Sequence, residues 1–359
     1  MRGLLRDEGV TMLHFSNAEG KEWMVPEKGI RTGLLLYQPS GWRGQWLKRM
    51  LPGMAWWRTG RKLMHVKRTQ AGVNEEIRAV IEEAFGVKDF EYAIFLGTPC
   101  ADQKATIQVY KGQRVMGYCK VADKEQVGEK FQREMSLLDE LNKKGMNGIP
   151  KGLACGQTNG DLYYFAQSTT KTLHSTYPHH WGRKQDMFLN QLYEQTRVTL
   201  AYEDTDFCEC IDLLKSRIGW LKKEQQATVE QAIHKIEQHF RGKPKEWSVY
   251  HGDFTPWNTF VTDGRLFVFD WEYTLRNCPP RMDRYHWLTQ VAFFEKHLSA
   301  DELFKEYKKK FGNSNNFSYL CYLIATIALY VGRERNALDV KNIGQTDYWT
   351  KLIKLATQS

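Results

Sequence analysis

The chain has 359 residues, enough for two or three structural units with a substantial core. An apolar share of 42% against 26% charged residues excludes a disordered or fibrous chain, and seven scattered Cys with no pair of Cys-x-x-Cys motifs argue against a disulfide framework or a zinc site and fit a reducing cytosol. The net charge of +9 is local. No Asp or Glu occurs between Lys28 and Asn74, while Lys28, Arg31, Arg43, Lys48, Arg49, Arg58, Arg61, Lys62, Lys67 and Arg68 all fall there, so the remainder is close to neutral.

Residues 1–74 resist classification: they contain several glycines, Pro39 and Pro52, with aromatics between. Met1–Glu8 lacks the long apolar stretch of a secretory signal. Ile77, Val80, Ile81, Ala84 and Phe85 share one face of a predicted helix over 73–85, with Gly86 as its stop. Short strands follow at Tyr92–Leu96, Ala105–Tyr110 and Val115–Val121. A long helix is predicted over Lys124–Lys143, with Phe131, Met135, Leu138 and Leu141 as its apolar stripe. Two more strands flank the Asn159-Gly160-Asp161 turn, the second over Leu162–Gln167.

From Trp181 to Phe240 the periodicity is helical, with Thr205 and Asp206 as helix starts. Lys243-Pro244 breaks it. Ser248–Tyr250 reads as a strand leading into a loop, and Thr259–Val261 and Leu266–Phe269 form a hairpin over Thr262-Asp263-Gly264. The rest is helical. Its longest apolar stretch, Tyr319–Val331, is too short to span a bilayer and reads as a buried helix. Strands with one long helix, then mostly helices, imply two lobes joined near Phe165–Thr169.

The chemistry concentrates in Val249-Tyr250-His251-Gly252-Asp253-Phe254-Thr255-Pro256-Trp257-Asn258 and in Val268-Phe269-Asp270-Trp271-Glu272. The hairpin between them is expected to return Asp270 toward Asp253 and Asn258. Phosphoryl transfer uses such a set: one carboxylate orients and deprotonates the attacking hydroxyl, and a carboxylate with an amide oxygen holds Mg²⁺. Taken singly, each segment also reads as a turn beside a hairpin, with Asp and Asn as turn residues.

These two segments resemble the aminoglycoside phosphotransferase and choline kinase family, relatives of the protein kinases, over about Tyr92–Arg335. The resemblance implies an α+β, protein-kinase-like two-lobed fold: a small antiparallel-sheet N-lobe with one long helix, and a mostly helical C-lobe. It implies Asp253 as catalytic base, Asn258 and Asp270 as metal ligands, His251 as a brace of the loop, and ATP and Mg²⁺ as cofactors. Glu272 is expected to steady the metal loop or to contact substrate. The family's phosphate-holding lysine and its helix partner fall on Lys120 and Glu134, fourteen positions apart. Thr98, in Gly97-Thr98-Pro99-Cys100-Ala101-Asp102-Gln103-Lys104, lies where a phosphate-covering loop belongs. That segment lacks Gly-x-Gly-x-x-Gly and reads equally as a plain hairpin loop. Phe165 and Gln167 are expected to line the nucleotide through a hinge that offers backbone groups to a purine. Trp271-Glu272 after the metal aspartate departs from protein kinases and favours a small-molecule acceptor. Asp283 is expected to cap its helix.

The expected domains are an N-terminal basic aromatic extension (1–88), a kinase-like N-lobe (89–168) and a helical C-lobe (169–359). The expected activity is transfer of the γ-phosphate of ATP to a hydroxyl of a small molecule, sugar or glycan. The alternative is a catalytically silent kinase-fold binding or assembly protein at a membrane surface. Glu203, Asp204, Asp206 and Glu209 suit a cationic acceptor or a solvated helix start. Trp42, Trp46, Trp56 and Trp57 among the cations of 28–74 suit a peripheral membrane contact or a subdomain packed on the core; no nucleic-acid partner is expected. The expected location is the cytoplasm, peripheral at the inner face of the membrane.

Overall fold

The computed structural model describes residues 3–39, 41–100, 102–242, 244–334, 336–341 and 343–358. Lys243 and Arg335, at two predicted boundaries, and Ala101 of the expected phosphate loop lie outside them. The chain divides into two units, one comprising residues 1–178 with 260–272 and the other residues 179–259 with 273–359.

The first unit is built on one antiparallel sheet. Its strands are β1 (Leu5–Ser16), β2 (Glu22–Pro26), β3 (Lys67–Val73), β4 (Glu91–Leu96), β5 (Ala105–Lys111), β6 (Arg114–Ala122), β7 (Gly152–Gln157) and β8 (Tyr163–Ser168). They lie in the order β3-β1-β2-β4-β5-β6-β8-β7. The expected boundary at residue 88 therefore differs from the structure. The segment predicted as an extension supplies three strands, and β2 pairs directly with β4, placing Trp23 opposite Phe95. The cause is burial: Met12, Met24, Ala71 and Val73 share one apolar cluster with Ile94, Ile107 and Val121. The expected boundary at 169 also differs, because the hairpin residues Phe260–Glu272 belong to this unit.

Several helices pack on this sheet. Glu75–Phe85 starts at Asn74, whose Oδ1 accepts the Ile77 N–H at 2.9 Å, and ends at Gly86 in the left-handed region. Glu125–Lys143 buries Phe131, Glu134, Leu138 and Leu141 along one side. Spacings of three and four put the carboxylate of Glu134 in line with that apolar stripe.

The second unit is mostly helical. Its core helix, Asn316–Arg333, is buried from Tyr319 to Ala328 without a break. Helices Asp206–Ser216, Lys223–Phe240 and Gly344–Gln358 surround it, with Phe207, Trp247 and Trp349 fully enclosed. Thr205 caps the first of these through the Cys208 N–H. A small sheet of β9 (Val198–Leu200), β10 (Lys245–Tyr250) and β13 (Leu275–Cys278) frames the start of the loop at His251; β11 (Thr259–Thr262) and β12 (Arg265–Val268) are the hairpin's strands. Among the described residues, no helix is long and apolar enough to cross a membrane.

Candidate active site

In the first unit, five charged side chains from four separate stretches of chain meet. Lys120 leaves β6 where that strand is flanked by β5 and β8, opposite Thr106 and Phe165. Its Nζ donates to Glu134 Oε1 and Oε2 at 2.9 and 2.8 Å and to Asp270 Oδ1 at 2.7 Å. Lys104, the last residue before β5, donates to Asp270 Oδ1 at 3.3 Å and to Glu272 Oε2 at 2.5 Å. Asp270 takes a left-handed backbone, φ +68°, just after β12, and the next N–H, that of Trp271, donates to Glu134 Oε1 at 3.2 Å. The helix glutamate therefore holds the loop that carries Asp270 as well as the lysine.

The electrostatics follow from this packing. Burial alone would lower the Lys120 ammonium, but Asp270 and Glu134 outweigh it and hold it above its ordinary value. Burial pushes the Glu134 carboxyl up, against the pull of Lys120. Burial would also raise Asp270, yet Lys104 and Lys120 keep it well below the usual carboxylate range. Asp270 is thus ionised at neutral pH. Lys104 was not anticipated: the sequence offers only a lone lysine at the end of a loop without a glycine motif.

In the second unit, the loop after β10 is fixed from several sides. Gly252 has φ +81°, and a Cβ there would lie 2.3 Å from the Tyr273 carbonyl oxygen, so only glycine fits. Buried His251 braces the loop as expected: its Nδ1 accepts the Asp253 N–H at 3.2 Å. Asn258 donates its amide N–H to Asp253 Oδ2 at 2.7 Å and to the Asp253 carbonyl at 3.0 Å. The other carboxylate oxygen, Oδ1, lies 3.2 Å from His286 Nε2, and His286 Nδ1 lies 3.3 Å from the Tyr250 hydroxyl. His286 was also missed, because it sits among Tyr285, Trp287 and Leu288 in a helix that reads as core.

Asp283 corrects its expected role. It is the first residue of the helix Asp283–Gln290, but it does not cap it. Its carboxylate instead accepts the backbone N–H groups of His251 (3.0 Å) and Gly252 (3.3 Å), anchoring the loop. Burial pushes its carboxyl up to about 7, against those two donors and with help from the Asp253 charge.

The nucleotide-side expectations fare differently. Exposed Thr98 lies between β4 and β5 in a loop closed by Gly97 N–H on the Lys104 carbonyl at 3.1 Å and by Gln103 on the Gly97 carbonyl at 2.9 Å. Phe165 and Gln167 cannot serve as a free-backbone hinge. They lie inside β8, which pairs with β6 on one side and β7 on the other, so both ladders use their backbone groups. The chain leaves the sheet only at Thr169 and Thr170. The Phe165 ring does face Lys120, 5.8 Å from its Nζ, and Gln167 is buried. Of the acidic cluster, Glu203, Asp204 and Glu209 are exposed, while Asp206 accepts the Arg276 N–H at 2.6 Å.

A search of curated proteins finds no match. Among solved structures, the chain is similar to a thermostable mutant of aminoglycoside phosphotransferase APH(4)-Ia in ternary complex with ADP and hygromycin B. The identity is 12% and the TM-score 0.52, over 79% of this chain and 98% of that one. A second such mutant, in complex with AMP-PNP and hygromycin B, gives 13% identity and a TM-score of 0.51 over the same shares. At these identities the likeness shows the fold, a kinase-like one. Residues 118–283 match the model of the APH phosphotransferase enzyme family, a stretch that holds Lys120, Glu134, Asp253, Asn258, Asp270 and Glu272. Over those residues the chain is similar to the APH family, and it is a phosphotransferase.

Proposed function

We propose that this phosphotransferase moves the γ-phosphate of ATP to a hydroxyl of a sugar, glycan or other small molecule. The observation that carries the reading is the contact of Lys120 with both Glu134 and Asp270. A buried ammonium fixed by one carboxylate and shared with a second is suited to hold phosphate oxygens. The adenine nucleotides bound in the APH(4)-Ia structures support ATP as donor, and hygromycin B bound there supports a small-molecule acceptor.

In this reading Asp253 accepts the proton of the acceptor hydroxyl as its oxygen attacks phosphorus. Asn258 and His286 hold the two carboxylate oxygens so that the base keeps one orientation. Asp270 and Asn258 are the residues that would hold Mg²⁺. Their donors fit a hard cation: Asp270 is ionised, and Asn258 commits its amide nitrogen to Asp253, leaving the carbonyl oxygen for the metal. Bound there, the ion would neutralise charge on the phosphates. Thr169 and Thr170 replace Phe165 and Gln167 as the backbone offered to a purine.

The test is a thermal shift with Mg²⁺-ATP, followed by ADP release across a panel of sugars, aminoglycosides and amino alcohols. Stabilisation by Mg²⁺-ATP and ADP release with at least one hydroxyl acceptor are expected. Stabilisation without turnover on any acceptor would favour a silent binding protein instead.

A further inference from the structure

The segment between β2 and β3 carries a surface that the phosphotransferase reading does not use. Its helix, Trp42–Met54, is apolar on two sides. Inward, Leu51 and Ala55 are buried and Leu47 and Met54 pack beside them against Leu13, Trp23 and Val25. Gly44 is pressed so close that a Cβ there would meet the Pro39 Cβ at 2.4 Å and the Tyr37 hydroxyl at 2.6 Å. The helix is thus seated on the sheet. Outward, Trp42, Trp46 and Met50 follow one another at intervals of four, a single stripe along the helix.

That stripe is left uncovered. Trp42 is 73% exposed and Trp56, beyond the helix end, 78% exposed; Trp57 and Leu63 extend the patch. These four tryptophans are the exposed ones among the described residues. An ordinary surface helix shows one apolar side and turns polar residues outward. The Trp56 indole N–H is already satisfied by the Gly53 carbonyl at 2.8 Å, so its ring can enter an apolar medium without stranding a donor.

Exposed cations stand among these rings: Arg43, Arg49, Arg58 and Lys62. The Arg43 guanidinium lies 5.4 Å from the Trp42 ring. None of the four has a carboxylate partner among the described residues, and the sequence holds no acidic residue from Lys28 to Asn74. Lys48 and Arg61 do not belong to this set. Their charged ends are turned onto the carbonyls of Tyr37 and Ala55, each at 2.5 Å, and act as internal struts.

We propose that this face docks on an anionic lipid bilayer, with the tryptophans at headgroup depth and the four cations on lipid phosphates. Indole rings favour the interface between water and hydrocarbon, and cations beside them are drawn to the negative surface potential of anionic lipid. A protein partner of ordinary composition would be expected to meet some opposite charge within the patch, and the patch offers only one sign. The inference goes beyond the phosphotransferase reading and does not depend on it.

The test is co-sedimentation of the full chain with vesicles of phosphatidylcholine containing 30% phosphatidylglycerol, against vesicles of phosphatidylcholine alone. Binding to the anionic vesicles at least roughly tenfold tighter is expected, together with a blue shift of tryptophan emission and quenching by brominated lipid. Trp42→Ala with Trp56→Ala, and separately Arg49→Glu with Arg58→Glu, should each weaken binding by roughly tenfold or more, with the melting temperature unchanged because all four side chains are exposed. Equal binding to both vesicle types, no binding, or variants that bind as well as the parent would overturn the proposal. So would tight, salt-sensitive binding to RNA or DNA in preference to vesicles, or self-association abolished by the Trp variants.

Discussion

Lys120 and Glu134 meet in the interior of the first unit, the ammonium set symmetrically on both carboxylate oxygens at 2.9 and 2.8 Å. Fourteen positions separate them, one on a central strand and one on the buried side of a long helix.

Removing one partner strands the other. Lys120→Met should destabilise the protein by about 3–5 kcal/mol, since Glu134 would keep a buried charge without its cation. Adding Glu134→Gln should restore much of that stability and none of the activity. Urea denaturation and ADP release of the single and double variants check this. Recovery of turnover in the double variant would argue that the pair is only structural.

Lys104 lies against both Asp270 and Glu272. A cation that binds Asp270 must compete with this ammonium. Lys104→Met should therefore lower, several-fold, the Mg²⁺ concentration giving half-maximal turnover. A rise in that concentration would instead make Lys104 a holder of nucleotide phosphates.

His286 is a positioning residue, because it touches Asp253 rather than the reacting atoms. His286→Ala should cut kcat by roughly 10- to 100-fold, the scale set by a misplaced reacting group, with little change in KM for ATP. His286→Gln, which retains a side-chain donor, should recover part of it. Equal loss in both variants, accompanied by a lower melting temperature, would mark a packing role.

Asp283 makes stability depend on pH. Its carboxyl titrates at about 7 in the fold, above the ordinary value near 4. A raised folded value means its contribution is full below pH 4 and is lost as pH climbs to about 7, then levels off. The loss is at most about 4 kcal/mol. Between pH 5 and pH 8 the parent should lose stability relative to Asp283→Asn, whose side chain does not titrate, as read from denaturation midpoints. A parent that gains stability relative to the variant as pH rises would contradict this.

Much of this was legible in the sequence. The loop from His251 to Asn258 and the run Phe269–Glu272 each hold their polar residues within a few consecutive positions, so both stood out as candidates before any fold was known. The pairing of Lys120 with Glu134 was expected from the family resemblance, supported by their order and spacing, and the two side chains do meet. The strands of residues 1–74 were not. β1 contains Arg6, Asp7 and Glu8, and its register shifts between Arg6 and Val10, which breaks the alternation that marks a strand. β3 begins with exposed, basic Lys67 and Arg68 at the sheet's edge, where polar residues are expected and carry no pattern. His286 and Lys104 were hidden for another reason: each gains its role from a partner more than 30 positions away.

Asp253 as the base that receives the acceptor's proton is the claim on which the mechanism turns. The most direct measurement is ADP release by Asp253→Asn with Mg²⁺-ATP and the best acceptor, alongside its melting temperature. Turnover is predicted to fall by about 10²–10⁴-fold with the fold intact, the contribution expected of a positioned general base. A folded Asp253→Asn protein that turns over at the parent rate would contradict it.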